Sequence, residues 1–108
     1  NKISNICDNN DISNVIVIGL TYKDGSHLLT ESQSYEIALK LSENLKVFYF
    51  DPDVVDSEVK EKIKIFNHQS KVYGDILLVN CSRDPSKLEM LKDIIKLRKI
   101  NSLEFGIW

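Results

Sequence analysis

The sequence predicts an α/β domain, a three-layer Rossmann-like fold with a mostly parallel sheet of about five strands. Two unbroken apolar runs, VIVI at residues 15–18 and ILLV at residues 76–79, are typical of parallel strands buried on both faces. Apolar residues at helical spacing follow each run, and strands that alternate with helices favour a parallel sheet covered on both sides. At 108 residues, the chain has the size of one such domain.

The composition is that of an ordinary globular domain and excludes several classes of protein. The apolar fraction is 43%, the charged fraction is 28% and the net charge is -2, so there is no basic field for nucleic acid or an anionic membrane. No apolar run approaches the roughly 18 residues of a membrane span, and the N-terminus lacks the features of a signal peptide. We therefore expect a cytoplasmic protein without nucleic-acid or membrane partners.

The beginning of the chain is predicted to lie outside the folded domain. Residues 1–13 are rich in Asn, Asp and Ser with isolated isoleucines, which indicates a linker or disordered tail. The domain is then expected to span residues 14–108. Because the first residue is Asn1 rather than Met, we expect a piece cut from a longer protein.

The first strand is predicted over residues 14–19, and a polar loop follows it. Loops that leave the carboxyl ends of parallel strands hold the ligands of open α/β sheets, so any chemistry is expected in this loop. A helix should begin near Gln33, where Ser32 is one candidate N-cap and Thr30 with Gln33 forms a competing capping box. The second strand is predicted over residues 46–50, which are aromatic and β-branched.

The second half of the chain carries five more predicted elements. In addition to a helix that begins with Asp84 as N-cap and Pro85 at its first position, it contains a short charged helix, a short third strand, a buried fourth strand and a last strand. These four are predicted over residues 56–62, 64–66, 75–80 and 100–105. A turn or brief helix is predicted over residues 68–74.

Two ligand classes that occur on this fold are not predicted. A dinucleotide fingerprint needs G-x-G-x-x-G after the first strand, but Leu20, Thr21 and Tyr22 follow Gly19, so no NAD site is expected in this domain. Asp51, at the end of the second strand, is interpreted as a strand-ending residue rather than a ribose ligand. A phosphoacceptor receiver would need a pair of acidic residues directly after the first strand, and residues 19–21 supply none.

The remaining reactive residue types are interpreted as structural or solvated. Cys7 and Cys81 lack the spacing of a disulfide framework or a zinc site, and Cys81 is predicted to be a small buried thiol. His27 and His68 are predicted to lie at the surface. Alternating charges are predicted to form a solvated face at Glu58, Lys60, Glu61, Lys62 and Lys64. No catalytic residue and no metal ligand is predicted in this chain.

Several short motifs occur in an order that resembles one known family. The first loop carries G-L-T-Y-K at residues 19–23, then Ser26 and Glu31-Ser32; the second strand ends in F-D-P, Gly74-Asp75 precedes the fourth strand, and the chain ends in G-I-W. This pattern resembles the C-terminal domain of the UDP-glucose/GDP-mannose dehydrogenase family, with its G-L-A-F-K-x-x-T-D-D-x-R-x-S-P, Y-D-P and D-T-R-G-I-W segments. The resemblance covers about residues 14–108.

The resemblance implies a domain that binds the UDP part of a nucleotide sugar. Tyr22 and Lys23 align with the family's aromatic-lysine pair at the nucleotide sugar, and a lysine is a suitable point charge for phosphate or sugar oxygens. The parent enzyme would oxidise a sugar C6 alcohol to a uronate in polysaccharide precursor synthesis. Its NAD site and catalytic cysteine would belong to preceding NAD-binding and central domains, and the parent would be a homo-oligomer.

The departures from the family pattern support a second hypothesis. Thr30 and Phe105 stand where the family has arginines, His27 and Leu28 where it has paired acids, and Gln33 where it has a proline. Without the arginines, bidentate contacts to phosphate or uracil are lost. The alternative is a divergent non-catalytic domain that serves oligomerisation or domain packing. Its apolar patch would comprise Leu28, Leu29, Phe105, Ile107 and Trp108.

Overall fold

The fold is a five-stranded, wholly parallel sheet with helices on both faces, which confirms the predicted three-layer α/β class. The computed structural model describes residues 2–21, 29 and 32–107. The strands are β1 (Asn14–Ile18), β2 (Lys46–Phe50), β3 (Ile63–Ile65), β4 (Ile76–Asn80) and β5 (Ser102–Gly106). The α-helices are α1 (Lys2–Asn9), α2 (Gln33–Leu41) and α3 (Pro85–Leu97). The strand order is β3-β2-β1-β4-β5.

Strand β1 is the centre of the molecule, because it pairs with β2 on one side and with β4 on the other. Its β-branched run is fully buried, and successive side chains face opposite layers. Val15 and Val17 belong to a core cluster shared with α1 and α2. Ile16 and Ile18 belong to a second cluster shared with α3. The unbroken apolar run therefore fills two cores, as its sequence predicted.

The two longer helices begin where their capping residues predict. Ser32 accepts a hydrogen bond from the Tyr35 amide at 3.2 Å, so it is the N-cap of α2. The competing capping box depends on Thr30, which lies outside the described residues. Asp84 accepts from the Ser86 amide at 3.0 Å and caps α3, with Pro85 at the first helical position.

Within the expected linker at residues 1–13, residues 2–13 are instead part of the folded domain. Helix α1 buries Ile3 and Cys7, and Ile12 is buried beside it. Residues 3, 6 and 7 follow helical spacing, so the isoleucines that seemed isolated form an apolar stripe against the sheet. The Ile12 amide donates to the Cys7 carbonyl at 2.8 Å and ends the helix. The stripe was not predicted, because most other residues of this segment are polar.

Between β2 and β4, the predicted charged helix and the predicted third strand differ from the structure. Residues 56–62 hold only a 3₁₀ turn, Asp56–Glu58, because the charged segment has no apolar stripe with which to build a longer helix. The Tyr49 hydroxyl is hydrogen-bonded to the Asp56 carboxylate, which ties the turn to the sheet. Strand β3 begins one residue earlier than predicted. Of the turn or brief helix predicted over residues 68–74, the structure has the turn, at residues 68–69.

Two further features bear on the surroundings of the molecule. No helix within the described ranges is long and apolar enough to cross a membrane. Strand β5 lies at one edge of the sheet, and Leu103 and Ile107 each keep 43% of their surface exposed.

Candidate functional site

The candidate site lies at the carboxyl ends of β1, β2 and β4. From β1 the chain runs to β2 and β3 on one side of the sheet, whereas β4 leads to β5 on the other side. This reversal between β1 and β4 is the position at which open α/β sheets bind their ligands. The loop singled out in the sequence leaves from this point.

Gly19 brings the loops after β1 and β4 into direct contact. Its φ of +82° lies in the left-handed region, and a Cβ at this position would come 2.7 Å from the Cβ of Ser82 and 3.0 Å from its backbone nitrogen. Only glycine satisfies both the dihedral angle and the close approach. The backbones of the two loops are therefore in contact at this point, and no space for a ligand remains between Gly19 and Ser82.

The predicted ligand residues follow immediately after the last described residue of this loop. Tyr22 and Lys23 lie outside the described residues, as do His27, Leu28 and Thr30. The structure does describe the two residues before them: Leu20 is fully buried and Thr21 is 6% exposed. These two residues define where the predicted ligand segment begins.

Asp51 holds the start of this loop. Its Oδ2 accepts hydrogen bonds from the Leu20 amide at 2.8 Å and the Thr21 amide at 3.4 Å. Its Oδ1 accepts from the Asp53 amide at 3.0 Å. The Asp51 side chain is fully buried, so both oxygens serve the protein itself. This agrees with the interpretation of Asp51 as a strand-ending residue rather than a ribose ligand.

Lys87 completes a buried charge cluster with two aspartates. From the first turn of α3, its Nζ lies 2.8 Å from Asp51 Oδ1 and 2.9 Å from Asp53 Oδ2. The Lys87 side chain is 2% exposed, whereas that of Asp53 is 34% exposed and opens the cluster to the surface. The cluster joins the end of β2, the loop after β1 and the start of α3.

Sequence reasoning missed Lys87, although the sequence held a signal for it. The buried side of α3 carries Leu91 and Ile95, and Lys87 precedes them at the same spacing of four. A lysine in line with the apolar stripe of a helix is predicted to be buried, and a buried lysine needs a carboxylate partner. Asp51 is that partner, but only the fold brings the two residues together.

Ser32 closes the other end of the loop. Its hydroxyl donates to the Leu20 carbonyl at 2.7 Å, and the same oxygen caps α2. Leu20 is therefore held on both sides, by Asp51 through its amide and by Ser32 through its carbonyl. The described residues at the two ends of the loop, Leu20, Thr21 and Ser32, thus form a fixed frame.

Cys81 lies beside this frame but is not an activated nucleophile. It follows β4, and its amide donates to the Ile18 carbonyl at 2.8 Å. Burial raises the pKa of its thiol to about 11, against a smaller opposing effect of the Ser34 hydrogen bond. At neutral pH the thiol is therefore protonated. Cys81 was predicted to be a small buried thiol, but the structure leaves it half-buried.

The other predicted surface features are found where the structure describes them. His68 is exposed, as are the alternating charged residues from Glu58 to Lys64. Phe105 and Leu29 are partly buried against the core, so they contribute less to an apolar patch than expected. Trp108 lies outside the described residues. Across residues 2–21, 29 and 32–107, no group of His, Cys, Asp or Glu is arranged to hold a metal ion.

A second concavity lies at the opposite edge of the sheet, beside β3. It encloses about 330 Å³ and is lined by the 3₁₀ turn and by charged side chains that include Asp56, Glu61 and Lys64. These charges have mixed sign, and the described lining comes from the segment between residues 56 and 65. The concavity is therefore separate from the candidate site.

Comparison of the sequence with models of known protein families and with characterised proteins gives no match. The family resemblance thus rests on the sequence motifs alone.

Proposed function

We propose that this chain is the UDP-sugar-binding domain of an NAD-dependent nucleotide-sugar dehydrogenase, which oxidises a sugar C6 alcohol to a uronate. The observation that carries the proposal is the position of the G-L-T-Y-K loop. It leaves the central strand at the reversal of strand order, where this fold class binds nucleotides. The residues that resemble the family's ligand pair thus begin at the ligand-binding edge of the sheet.

The described contacts limit how a nucleotide sugar is held. The amides of Leu20 and Thr21 point to Asp51, so they are not donors for a phosphate. In the proposal, Lys23 supplies the positive charge for the phosphates, and Tyr22 supplies a flat face and a hydroxyl for the base or sugar. The domain contributes binding groups only, and the catalytic cysteine belongs to a preceding domain.

The NAD of the parent enzyme does not fit this domain. Its β1 loop has one glycine where the fingerprint needs three, and the carboxylate at the end of β2 is taken by Lys87. In the proposal, NAD therefore binds the preceding domain of the parent, and this chain packs against it.

Calorimetric titration with UDP and UDP-N-acetylglucosamine tests the proposal. We expect saturable binding that Lys23→Ala weakens about tenfold or more, since a charge-assisted contact to phosphate is lost. Lys64→Ala is the matched control, because Lys64 is an exposed lysine on β3, away from the loop. No heat up to millimolar ligand, or equal losses in the two variants, would contradict the proposal.

The exposed edge of β5 favours a second candidate function, in domain packing or oligomerisation. The Ile76 amide donates to the Asn101 carbonyl, and the Ile107 amide donates to the Asn80 carbonyl. In a parallel ladder, residues 102, 104 and 106 then turn their backbone groups away from β4. Such an edge is a template for pairing with another chain. A light-scattering mass above that of one chain, restored to one chain by Leu103→Lys, would support this candidate.

A further inference from the structure

We propose that Asp51 and Lys87 are positioning residues of the nucleotide-sugar site, because they fix the backbone of Leu20 and Thr21 at the start of the loop that follows β1. This inference rests on the proposed function for its ligand, and on the buried charge cluster for its geometry. Neither residue contacts the ligand. They act through the amides of Leu20 and Thr21.

The cost of burying these charges is the first argument. Lys87 and Asp51 are 2% and 4% exposed, and removing two charges from water offsets most of what their attraction gains. Apolar side chains of similar volume would stabilise such a position at least as well. The buried pair is therefore poorly explained by stability alone, and what it adds is a fixed geometry between three segments.

The division of labour between the two Asp51 oxygens is the second argument. Oδ2 faces the Leu20 and Thr21 amides, whereas Oδ1 faces the Lys87 ammonium and the Asp53 amide. Every neighbour is a donor. An asparagine at this position would always turn its NH₂ group towards one of these donors, because it has only one acceptor oxygen. Only a carboxylate holds the loop on one side and the lysine on the other.

The direction of the contacts is the third argument. Lys87 lies at the start of α3, and Asp51 contacts the loop that follows β1. The ion pair between Lys87 and Asp51 therefore fixes the position of this loop relative to α3. Ser32 fixes the Leu20 carbonyl at 2.7 Å from the opposite side. With both sides of Leu20 held, the start of the loop is fixed by contacts with the core rather than by the loop itself.

Two measurements on Asp51→Asn separate positioning from general stabilisation. The first is amide hydrogen exchange, where we expect Leu20 and Thr21 to exchange at least about tenfold faster while Val17, in the middle of β1, is unchanged. The second is titration with UDP-N-acetylglucosamine, where we expect about tenfold weaker binding at a temperature at which the variant remains folded. A merely structural role would raise exchange in the strands as well.

Two further variants keep the test decisive. Asp53→Asn removes one partner of Lys87 from the half-exposed side of the cluster and leaves Asp51 in place, so it should show the same selective changes at smaller size even where Asp51→Asn does not fold. Lys92→Met is the matched control, because Lys92 lies on the same helix and pairs with Glu104 at the surface, 3.0 Å away. We expect this control to change neither measurement.

The outcomes distinguish the two proposals. Unchanged protection of Leu20 and Thr21, an equal loss of protection at Val17, or unaltered affinity with a loosened loop would overturn the positioning role. Absence of binding by the unaltered chain would instead contradict the proposed function. The exchange comparison would then decide by itself whether the charge cluster positions the loop.

Discussion

Gly19 is constrained by its backbone conformation and by a close contact at the same time. Its positive φ and its approach to Ser82 are independent reasons for glycine, and both act where the loops after β1 and β4 meet. The residue joins the two halves of the sheet at the candidate site. Its replacement therefore tests the geometry of the site and the stability of the fold together.

We predict that Gly19→Ala lowers the free energy of unfolding by about 2–5 kcal/mol, because the added methyl group is strained in its backbone and overlaps Ser82. Gly74→Ala is the control. Gly74 also has a positive φ, +77°, but nothing lies within 4 Å of a Cβ there, so its loss should be about 1 kcal/mol. Urea unfolding measures both, and equal losses would show that the contact with Ser82 contributes nothing.

At the scale of elements, α1 shows how much one short helix adds to a core. Its stripe packs against the same face of the sheet as α2. We predict that Ile3→Ala lowers the free energy of unfolding by about 2–4 kcal/mol, the usual effect of emptying a buried position. Asn5→Ala, an exposed position on the same helix, should change it by less than about 0.5 kcal/mol. Similar small effects of both variants would place α1 outside the folded unit.

The elements also show which inferences the sequence supports. Continuous apolar runs and capping residues predicted β1, β2, β4, α2 and α3, because local patterns determine them. Helix α1 was not predicted, because its apolar stripe consists of only Ile3, Ile6 and Cys7 and the other residues of the helix are polar. The pairing of Lys87 with Asp51 could not be predicted, because Asp51 lies 36 positions earlier in the sequence and only the packing of α3 on the sheet joins them. Long-range charge pairs leave no local pattern.

At the scale of the whole molecule, residues 22–28 are flanked by described residues that contacts with the rest of the fold hold in place. Before them, Asp51 accepts hydrogen bonds from the Leu20 and Thr21 amides. After them, the Leu29 carbonyl accepts from the Ser32 amide, and Ser32 caps α2. The two cores on either side of the sheet do not depend on the described part of this loop beyond Leu20 and Leu29.

We predict that a Gly-Ser segment of equal length in place of residues 22–28 changes the free energy of unfolding by less than about 1 kcal/mol, since the closure entropy of the loop is unchanged. Binding of UDP-N-acetylglucosamine should be abolished. Thermal unfolding and calorimetry check the two parts. Loss of the folded state in this variant would show that the segment belongs to the core.

The hydrogen bond between the Ser32 hydroxyl and the Leu20 carbonyl has a consequence for how such a domain diversifies. It fastens Leu20, at one end of the segment, to Ser32, at the other end, so this contact does not depend on the side chains of the residues between them. Under the proposed function, substitutions between the two ends would change ligand specificity while this contact is kept. The departures from the family pattern at His27, Leu28 and Thr30 all fall inside that fastened interval.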